Sequence, residues 1–324
     1  KGKTTVIIGG TTGIGASTVR LFAENRANVV FAGRKKAEGD GRIPLCPPLS
    51  HGGENLMDTR RILSYVRRAC EDYGMIRAGD RVAVGVSAGK DSLTLLCALA
   101  EMRKFYPHPY EVAALAVNMG FPGMDFSPVA ELCRQLEVPF HVVKTEISTV
   151  VFDIRKEKNP CSLCAKLRRG ALHGAAKEMG YGTVALGHHF DDVVDTFMLN
   201  LFYEGRIGCF QPVTELSRVG VRVIRPMLYL PEKEIRYFAS HEKLPVIKSP
   251  CPADGNTKRA EMKKLLSELE RENKGLRYRI FGAIKRSGID GFGALFKNGR
   301  LPVLPDPQTE PVLPKTPPEL SEKR

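Results

Sequence analysis

Hydrophobic residues in the middle of the chain occur in short, nearly unbroken runs that alternate with longer stretches of mixed polarity. Five of these runs are short and rich in valine or alanine, and they predict β-strands at 81–86, 111–118, 140–144, 183–187 and 221–225. Runs of this kind are typical of strands in a parallel sheet, because both faces of such a sheet are buried.

The stretches between or beside these strands predict helices at 91–104, 128–136, 162–179 and 191–204. Strands that alternate with helices indicate the α/β class, a doubly wound parallel sheet that binds its ligand at the carboxyl ends of the strands. After Pro231 the pattern is mainly helical, which predicts a helical C-terminal extension.

Changes in composition divide the chain into five segments. Residues 1–36 predict a strand–helix–strand unit, and the glycine- and proline-rich residues 37–53 predict a linker. We expect the α/β domain at 54–230, a basic helical region at 231–297, and an extended, proline-rich tail at 298–324.

Charge and cysteine content narrow the function classes. The 324 residues include 49 Lys and Arg against 36 Asp and Glu, a net charge of +13 that favours a polyanionic partner. Ten basic and four acidic residues within 256–286 contribute almost half of that charge. Without an apolar run of about 18 residues, we expect no membrane span. The first residues have a basic start that turns at once into glycines, without an apolar h-region or a cleavage site, so we expect no signal peptide. Eight cysteines in 324 residues are too few for a secreted protein held together by disulfides, so we expect the protein in the reducing cytoplasm.

The sharpest local pattern is a hydrophobic strand that enters a turn of small residues and then a helix. The turn reads Ser87-Ala88-Gly89-Lys90-Asp91-Ser92. Small residues let the backbone approach a phosphate, and the N–H groups at the helix start donate to it. The spacing differs from that of a Walker A loop, and the acid that follows the lysine suits Mg²⁺ binding. The alternative is a strand-to-helix turn that binds no ligand.

These residues resemble the SGGxDS motif of the PP-loop ATP pyrophosphatases, and the resemblance continues along the chain. The segment Gly187-His188-His189-Phe190-Asp191-Asp192 resembles the second signature of the branch that thiolates tRNA. With Cys161, Cys164 and Cys251, the motifs resemble the tRNA 2-thiocytidine synthetase (TtcA) family over about 54–293. The resemblance implies a Rossmann-like PP-loop fold that cleaves ATP between its α and β phosphates and activates a substrate oxygen as an adenylate.

The cysteines permit several interpretations when they are considered alone. Cys161 and Cys164 lie three residues apart at a predicted helix start, with Asn159 as the cap and Pro160 in the first turn. Thiolates at a helix N-terminus have lowered pKa values, so metal ligands and a redox or persulfide-carrying pair both fit. A zinc site needs a second pair that the chain lacks. Cys251, which lies between two prolines, is the candidate third ligand.

The family resemblance implies that Cys161, Cys164 and Cys251 hold a [4Fe–4S] cluster whose fourth iron lacks a protein ligand and can carry sulfide. It also implies roles in catalysis for Lys90, Asp91, Cys161 and Cys164, and Mg²⁺ binding by Asp91. ATP would be bound by Ser87, Ala88, Gly89, Lys90, Ser92, Asn118, Gly187, His188 and Asp192. We expect at most one of the adjacent Asp191 and Asp192 to face the ligand, while the other caps the helix.

Two residues depart from the family pattern. Ala88 stands where the motif has glycine, and Asn118 stands where an acid is expected. If position 88 requires a positive φ, the alanine methyl costs about 1 kcal/mol and crowds a phosphate.

The implied activity is the ATP- and Mg²⁺-dependent replacement of the 2-oxo oxygen of a tRNA cytidine by sulfur. The partners are tRNA and a sulfur donor, either a cysteine desulfurase or sulfide, and the oligomeric state is open, a homodimer included. Candidate contacts to the tRNA backbone are Arg168, Arg169, Lys258, Arg259, Lys263, Lys264, Arg277, Arg279, Lys285 and Arg286. For each of them alone, the alternative is an ordinary solvated helix face.

A rival function comes from residues 9–15, which resemble the cofactor-binding start of short-chain dehydrogenases, with Arg34 suited to NADP. An NADP-dependent oxidoreductase is disfavoured because this resemblance ends near Lys36. Its YxxxK motif, at Tyr229 and Lys233, is interrupted by Pro231. A lysidine synthetase, which has no use for three cysteines, and a catalytically impaired tRNA-binding protein are two more candidate functions.

Overall fold

The computed structural model describes residues 4–8, 28–32, 55–156, 160–247, 250–251 and 258–293. The chain forms two compact units, residues 1–53 and 54–324. In the first unit, β1 (Thr4–Ile8) and β2 (Asn28–Ala32) pair in parallel, with Thr4 opposite Asn28. The glycine turn and helix predicted between these strands, the linker and the proline-rich tail lie outside the described residues.

The second unit contains a six-stranded sheet in the order β5-β4-β3-β6-β8-β7. Its strands are β3 (Asp80–Val86), β4 (Tyr110–Asn118), β5 (Phe140–Lys144), β6 (Thr183–Ala185), β7 (Val213–Leu216) and β8 (Val221–Ile224). Five strands run parallel, which confirms the predicted fold class and the five predicted strands. Only β7 was not predicted, and it pairs antiparallel with β8.

The helices confirm the predicted alternation with the strands. They are α1 (Asn55–Asp72), α2 (Lys90–Met102), α3 (Ser127–Gln135), α4 (Pro160–Glu178), α5 (Phe190–Tyr203), α6 (Glu232–His241), α7 (Lys258–Glu272) and α8 (Leu276–Ser287). A π-helical turn spans Thr149–Ile154, and a 3-10 turn spans Ile289–Gly291. In the part of the chain that is described, no helix is long and apolar enough to cross a membrane.

The two faces of the sheet are covered by different helices. On one face, Leu172 and Ala176 of α4 pack with Ala83 of β3 and Leu115 of β4. On the other face lies α2, which packs on β3 and β4 and is buried from Ser92 to Met102. Since α2 is hydrophobic around its whole circumference, it must be enclosed, and α1 and α6 pack against it.

One buried ion pair ties the two halves of the sheet together. The guanidinium of Arg222 in β8, which is 5 % exposed, pairs with the carboxylate of Asp80 at the start of β3. The same carboxylate accepts a hydrogen bond from the Arg77 backbone N–H at 2.8 Å. Burial lowers the pKa of Arg222, and the charge of Asp80 opposes that shift. Removing either partner would therefore leave an uncompensated charge in the interior.

We expect Arg222→Met to lower the free energy of unfolding by about 3–5 kcal/mol, because Asp80 would lose its buried partner. Urea unfolding followed by circular dichroism measures the loss. The matched control is Arg134→Met, which removes the exposed pair with Glu131 and should leave the unfolding midpoint unchanged. Equal midpoints for the two variants would contradict the structural role of the buried pair.

Candidate active site

The order in which successive strands are added reverses between β3 and β6, which are parallel neighbours, and the two principal motifs lie at that point. From β3 the chain proceeds to β4 and β5 on one side, whereas β6 and β8 lie on the other side. The carboxyl ends of β3 and β6 therefore border the crevice in which α/β sheets bind ligands. Residues 87–92 follow β3, and residues 187–192 follow β6.

Side-chain hydrogen bonds hold the loop that follows β3 in a tight turn. The Ser87 N–H donates to Ser92 Oγ at 3.1 Å, and Ser92 Oγ donates to the carbonyl oxygen of Gly89 at 3.0 Å. Ala88, at the centre of the turn, is fully buried and has a φ of +57°. The position is thus left-handed, as the glycine of the family motif suggests, and the alanine methyl is strained there.

Helix α2 begins at the end of this loop with its N-terminal amides available to a ligand. Gly89 is the N-cap residue, and no side chain caps the helix there. Unsatisfied N–H groups at a helix start favour an anion such as a phosphate. The loop after β6 can approach the start of α2 closely because residue 187 is glycine. A Cβ at residue 187 would lie 3.1 Å from the Asp91 carbonyl carbon. The two loops are therefore in backbone contact.

The lysine of the loop is held by two carboxylates. Lys90 Nζ donates to Asp91 Oδ1 at 2.9 Å and lies 3.1 Å from Glu232 Oε1. Burial alone would lower the pKa of Lys90, but the hydrogen bonds and charges of Asp91 and Glu232 raise it. The ammonium group of Lys90 therefore stays charged beside the loop of residues 87–92.

Glu232 is a functional candidate that the sequence pattern did not reveal. This buried residue starts α6, and it joins Lys90 to Arg236 Nη2 at 2.9 Å and to Lys263 Nζ of α7 at 2.5 Å. Burial raises its pKa, yet the lysines and the arginine reverse this shift and hold the pKa well below its usual range. The only signal in the sequence was a helix start after Pro231, which does not reveal the partners.

The two aspartates that follow β6 have separate structural partners. Asp192 Oδ2 accepts a hydrogen bond from the His189 N–H at 3.1 Å, so Asp192 caps α5. Its other oxygen pairs with Arg259 of α7 at 3.2 Å. Asp191 Oδ2 accepts a hydrogen bond from the Glu232 N–H at 2.7 Å, which attaches α6 to this edge.

The histidines of this motif are in different surroundings. His189 is buried, and its Nε2 lies 3.7 Å from Asp91 Oδ1 and 3.5 Å from Asp192 Oδ2. The ring of His188 lies against the ring of Phe210, with centroids 4.9 Å apart. Burial and the charges of Arg225 and Arg259 lower the pKa of His188 to about 3. His188 is therefore neutral at physiological pH.

The loop that follows β4 brings Asn118 to the same edge of the sheet. Its Oδ1 accepts a hydrogen bond from the Gly120 N–H at 3.0 Å and closes the turn. An aspartate would accept the same bond, so the departure at 118 preserves the turn and removes a charge. At Gly120, where φ is +84°, a Cβ would lie 2.9 Å from the Thr145 carbonyl oxygen, and only glycine fits.

The cysteine motif lies beside this loop. Cys164 Sγ lies 3.7 Å from the sulfur of Met119, the residue after Asn118. Burial raises the pKa of Cys164, the charge of Arg168 lowers it, and the charges of Cys251 and Cys161 raise it. The three predicted cysteine ligands thus interact electrostatically, and Cys161 is exposed to solvent.

The described thiols do not form a compact metal site of their own. Among the residues described, no three His, Cys, Asp or Glu side chains are placed to hold a single metal ion. All seven cysteines in that part of the chain are thiols. An iron–sulfur cluster, which thiolates surround, separates its ligands further than a zinc ion does.

The predicted basic track is only partly available to a polyanion. Arg277 Nη1 binds Asp195 at 2.9 Å and lies 3.4 Å from Asp191, so Arg277 is a structural residue of the interior. Lys263 binds Glu232, and Lys285 Nζ donates to the Tyr229 hydroxyl at 2.9 Å. The predicted contacts that remain exposed are Arg168, Arg169, Lys258, Arg259, Lys264, Arg279 and Arg286.

Comparisons with known proteins agree with this geometry. A family described as a PP-loop domain matches residues 59–284. The tRNA-cytidine(32) 2-sulfurtransferase of Geobacter sulfurreducens is 38% identical over 228 residues, which are 69% of this chain and 89% of that protein. The protein of the same name from Bordetella petrii is 34% identical over 288 residues, which cover 86% and 88% of the two chains.

One solved structure extends the comparison. The U34-tRNA thiolase NcsA from Methanococcus maripaludis, solved with its [4Fe-4S] cluster, has a TM-score of 0.59 and 26% sequence identity. The match covers 71% of this chain and 78% of the thiolase. The loop after β3, the motif after β6 and the relatives agree, and the chain belongs to the PP-loop family, in its tRNA 2-thiocytidine synthetase branch.

Proposed function

We propose that this protein is an ATP-dependent tRNA sulfurtransferase that replaces the 2-oxo oxygen of a cytidine with sulfur. The observation that carries the proposal is the contact between Cys164 and Met119. It joins α4, the helix that contains Cys161 and Cys164, to the loop after β4 at the nucleotide edge, which is the edge of the sheet formed by the carboxyl ends of β3, β4 and β6. The relatives named tRNA-cytidine(32) 2-sulfurtransferase support the substrate, and position 32 of tRNA is therefore the proposed target.

In the first half of the reaction, the loop 87–92 would bind ATP through its backbone N–H groups, and Lys90 would neutralise phosphate charge. Asp91 would hold Mg²⁺. The cytosine 2-oxo oxygen attacks the α-phosphorus, the new O–P bond forms, and the bond to the β-phosphate oxygen breaks. Pyrophosphate leaves, and C2 of the base then bears AMP as a leaving group.

In the second half, sulfur adds to C2 of the base, the bond between C2 and the adenylate oxygen breaks, and AMP leaves. A [4Fe–4S] cluster on Cys161, Cys164 and Cys251 would supply an iron that has no protein ligand and can carry that sulfur. Three soft thiolates beside the nucleotide edge suit such a group. We propose sulfide or a cysteine desulfurase as the sulfur donor and the cytoplasm as the compartment.

The direct test is anaerobic purification with iron analysis, followed by mass spectrometry of tRNA that has been incubated with ATP, Mg²⁺ and sulfide. We expect a gain of one sulfur for one oxygen at a cytidine, together with AMP and pyrophosphate. Cys161→Ser, Cys164→Ser and Cys251→Ser should each lose iron and transfer. Cys133→Ala, which changes a buried cysteine in α3, is the control and should retain both. Iron-free wild-type protein, or unmodified tRNA, would contradict the proposal.

The strained Ala88 limits nucleotide binding in this proposal. We expect Ala88→Gly to relieve about 1 kcal/mol of backbone strain and to lower the KM for ATP by up to about fivefold. Ala88→Val should act in the opposite direction, because a β-branched residue tolerates a positive φ poorly. ATP–pyrophosphate exchange in the presence of tRNA measures both variants. A higher KM in the glycine variant would show that the methyl helps to form the loop.

Glu232 is expected to position Lys90 for the phosphates. We expect Glu232→Gln to raise the KM for ATP about tenfold, because Lys90 loses an anionic partner while the iron content is unaffected. The control is Glu234→Gln on the same helix, since Glu234 pairs with Arg61 at 3.0 Å and not with the loop. Equal KM values for the two variants would remove Glu232 from the site.

A further inference from the structure

Arg222 of β8 is buried, and Arg225, the residue that follows the strand, is half-buried. Among the described residues, only Arg222 has an acidic partner. Arg222 pairs with Asp80, as described above. Arg225 Nη1 donates to the Gln211 carbonyl oxygen at 2.6 Å and to Thr214 Oγ1 at 3.1 Å. In the described part of the chain, no carboxylate forms an ion pair with Arg225. A guanidinium with little access to water is usually paired with an anion, so Arg225 is a candidate to bind one.

The surroundings of Arg225 are short of hydrogen-bond acceptors. Arg225 Nε is buried without a hydrogen-bond partner, and so are His173 Nε2 of α4 and His188 Nδ1. His173 is 9 % exposed. Buried nitrogens without a partner are uncommon in native interiors, where nearly all buried polar groups are hydrogen-bonded.

A basic side chain acts on each member of this cluster. Burial and the charge of Arg169 lower the pKa of Arg225 to about 10, although the Cys209 thiol opposes that shift. Burial lowers the pKa of His173, as do the positive charges of Arg169 and Arg225. Arg169 is exposed to solvent.

An aromatic ring occupies the place beside the guanidinium. Arg225 lies 5.2 Å from the ring centroid of Phe210, and His188 lies on the same ring. A cation–π contact offsets only part of the cost of burying a charge. Phe210 belongs to the loop between α5 and β7, next to the exposed Gln211.

We propose that Arg225, His173 and His188 form a site for a phosphate group, with the Phe210 ring beside Arg225 and His188. The site deepens the proposed function, on which it rests, because it lies next to the nucleotide crevice. His188 follows β6, and Arg225 follows β8, which are neighbouring strands with their carboxyl ends at one edge. A phosphate would accept hydrogen bonds from the guanidinium and from N–H groups of the imidazoles.

The phosphate has two possible sources, the backbone of the bound RNA or the pyrophosphate end of the nucleotide. Helix α4 connects the site to the cysteines, because His173 lies nine residues after Cys164, about 14 Å along the helix. Both sources are compatible with that distance, and separate binding measurements distinguish them.

The test uses Arg225→Met, with Arg222→Met as the matched control, in the full chain under anaerobic conditions. One measurement is the fluorescence anisotropy of a labelled anticodon stem–loop RNA. The other is the thermal shift caused by inorganic pyrophosphate with Mg²⁺. Neither measurement requires sulfur transfer, so a failure of the proposed chemistry is distinguishable from a failure of the phosphate site.

We expect Arg225→Met to weaken one of the two ligands at least tenfold, while the Tm of the ligand-free protein stays equal or rises. Arg222→Met should lower the Tm and retain both affinities below its melting range. His173→Leu should weaken the same ligand about threefold and serves as the second variant. Weaker RNA binding identifies the RNA backbone as the source, and weaker pyrophosphate binding identifies the nucleotide.

Two results would overturn the site. One is unchanged affinity for both ligands in Arg225→Met and His173→Leu. The other is a loss of Tm in Arg225→Met as large as that in Arg222→Met, which would make Arg225 a structural residue with its charge already balanced.

Discussion

The nucleotide edge depends on one buried carboxylate. Glu232 binds Lys90 of the loop after β3, Arg236 of its own helix and Lys263 of α7. Its backbone N–H donates to Asp191 of the motif after β6. One residue therefore connects three segments that are far apart in the sequence. Since a buried charge is costly unless it is paired, these contacts are what allow the carboxylate to be enclosed.

Most of the fold could be predicted because the sheet is buried on both faces and its strands are continuous apolar runs. Strand β7 could not, because it has four residues and lies at an edge of the sheet. Its side chains are mostly half-buried, and its sequence, Val-Thr-Glu-Leu, has no distinctive pattern. The bounds of β6 were also placed too far toward Gly187, where the chain already leaves the sheet.

The parts of the candidate site that depend on backbone conformation and residue spacing could be predicted from the sequence. The ion pairs between distant side chains could not. Small residues at 87–89 and the cysteine spacing are visible in the sequence. A charge does not reveal whether its partner is water or a distant side chain. Arg277, expected on the surface, is enclosed with Asp195, whereas Glu232 was not considered at all. Arg222 and Arg225 are near neighbours in sequence, and only the structure separates the paired one from the other.

Helix α4 is a rigid spacer between the cysteine motif and the proposed phosphate site. The cysteines stand at its first turn, and His173 stands two to three turns later. In a helix each added residue turns everything beyond it by about 100°. Cys164 and His173 lie nine residues and therefore about 180° apart around the helix, and a one-residue insertion between them would turn one site by about 100° relative to the other. Natural variation in length should be absent from this stretch and tolerated in the surface loops, where insertions do not alter the direction of any functional side chain.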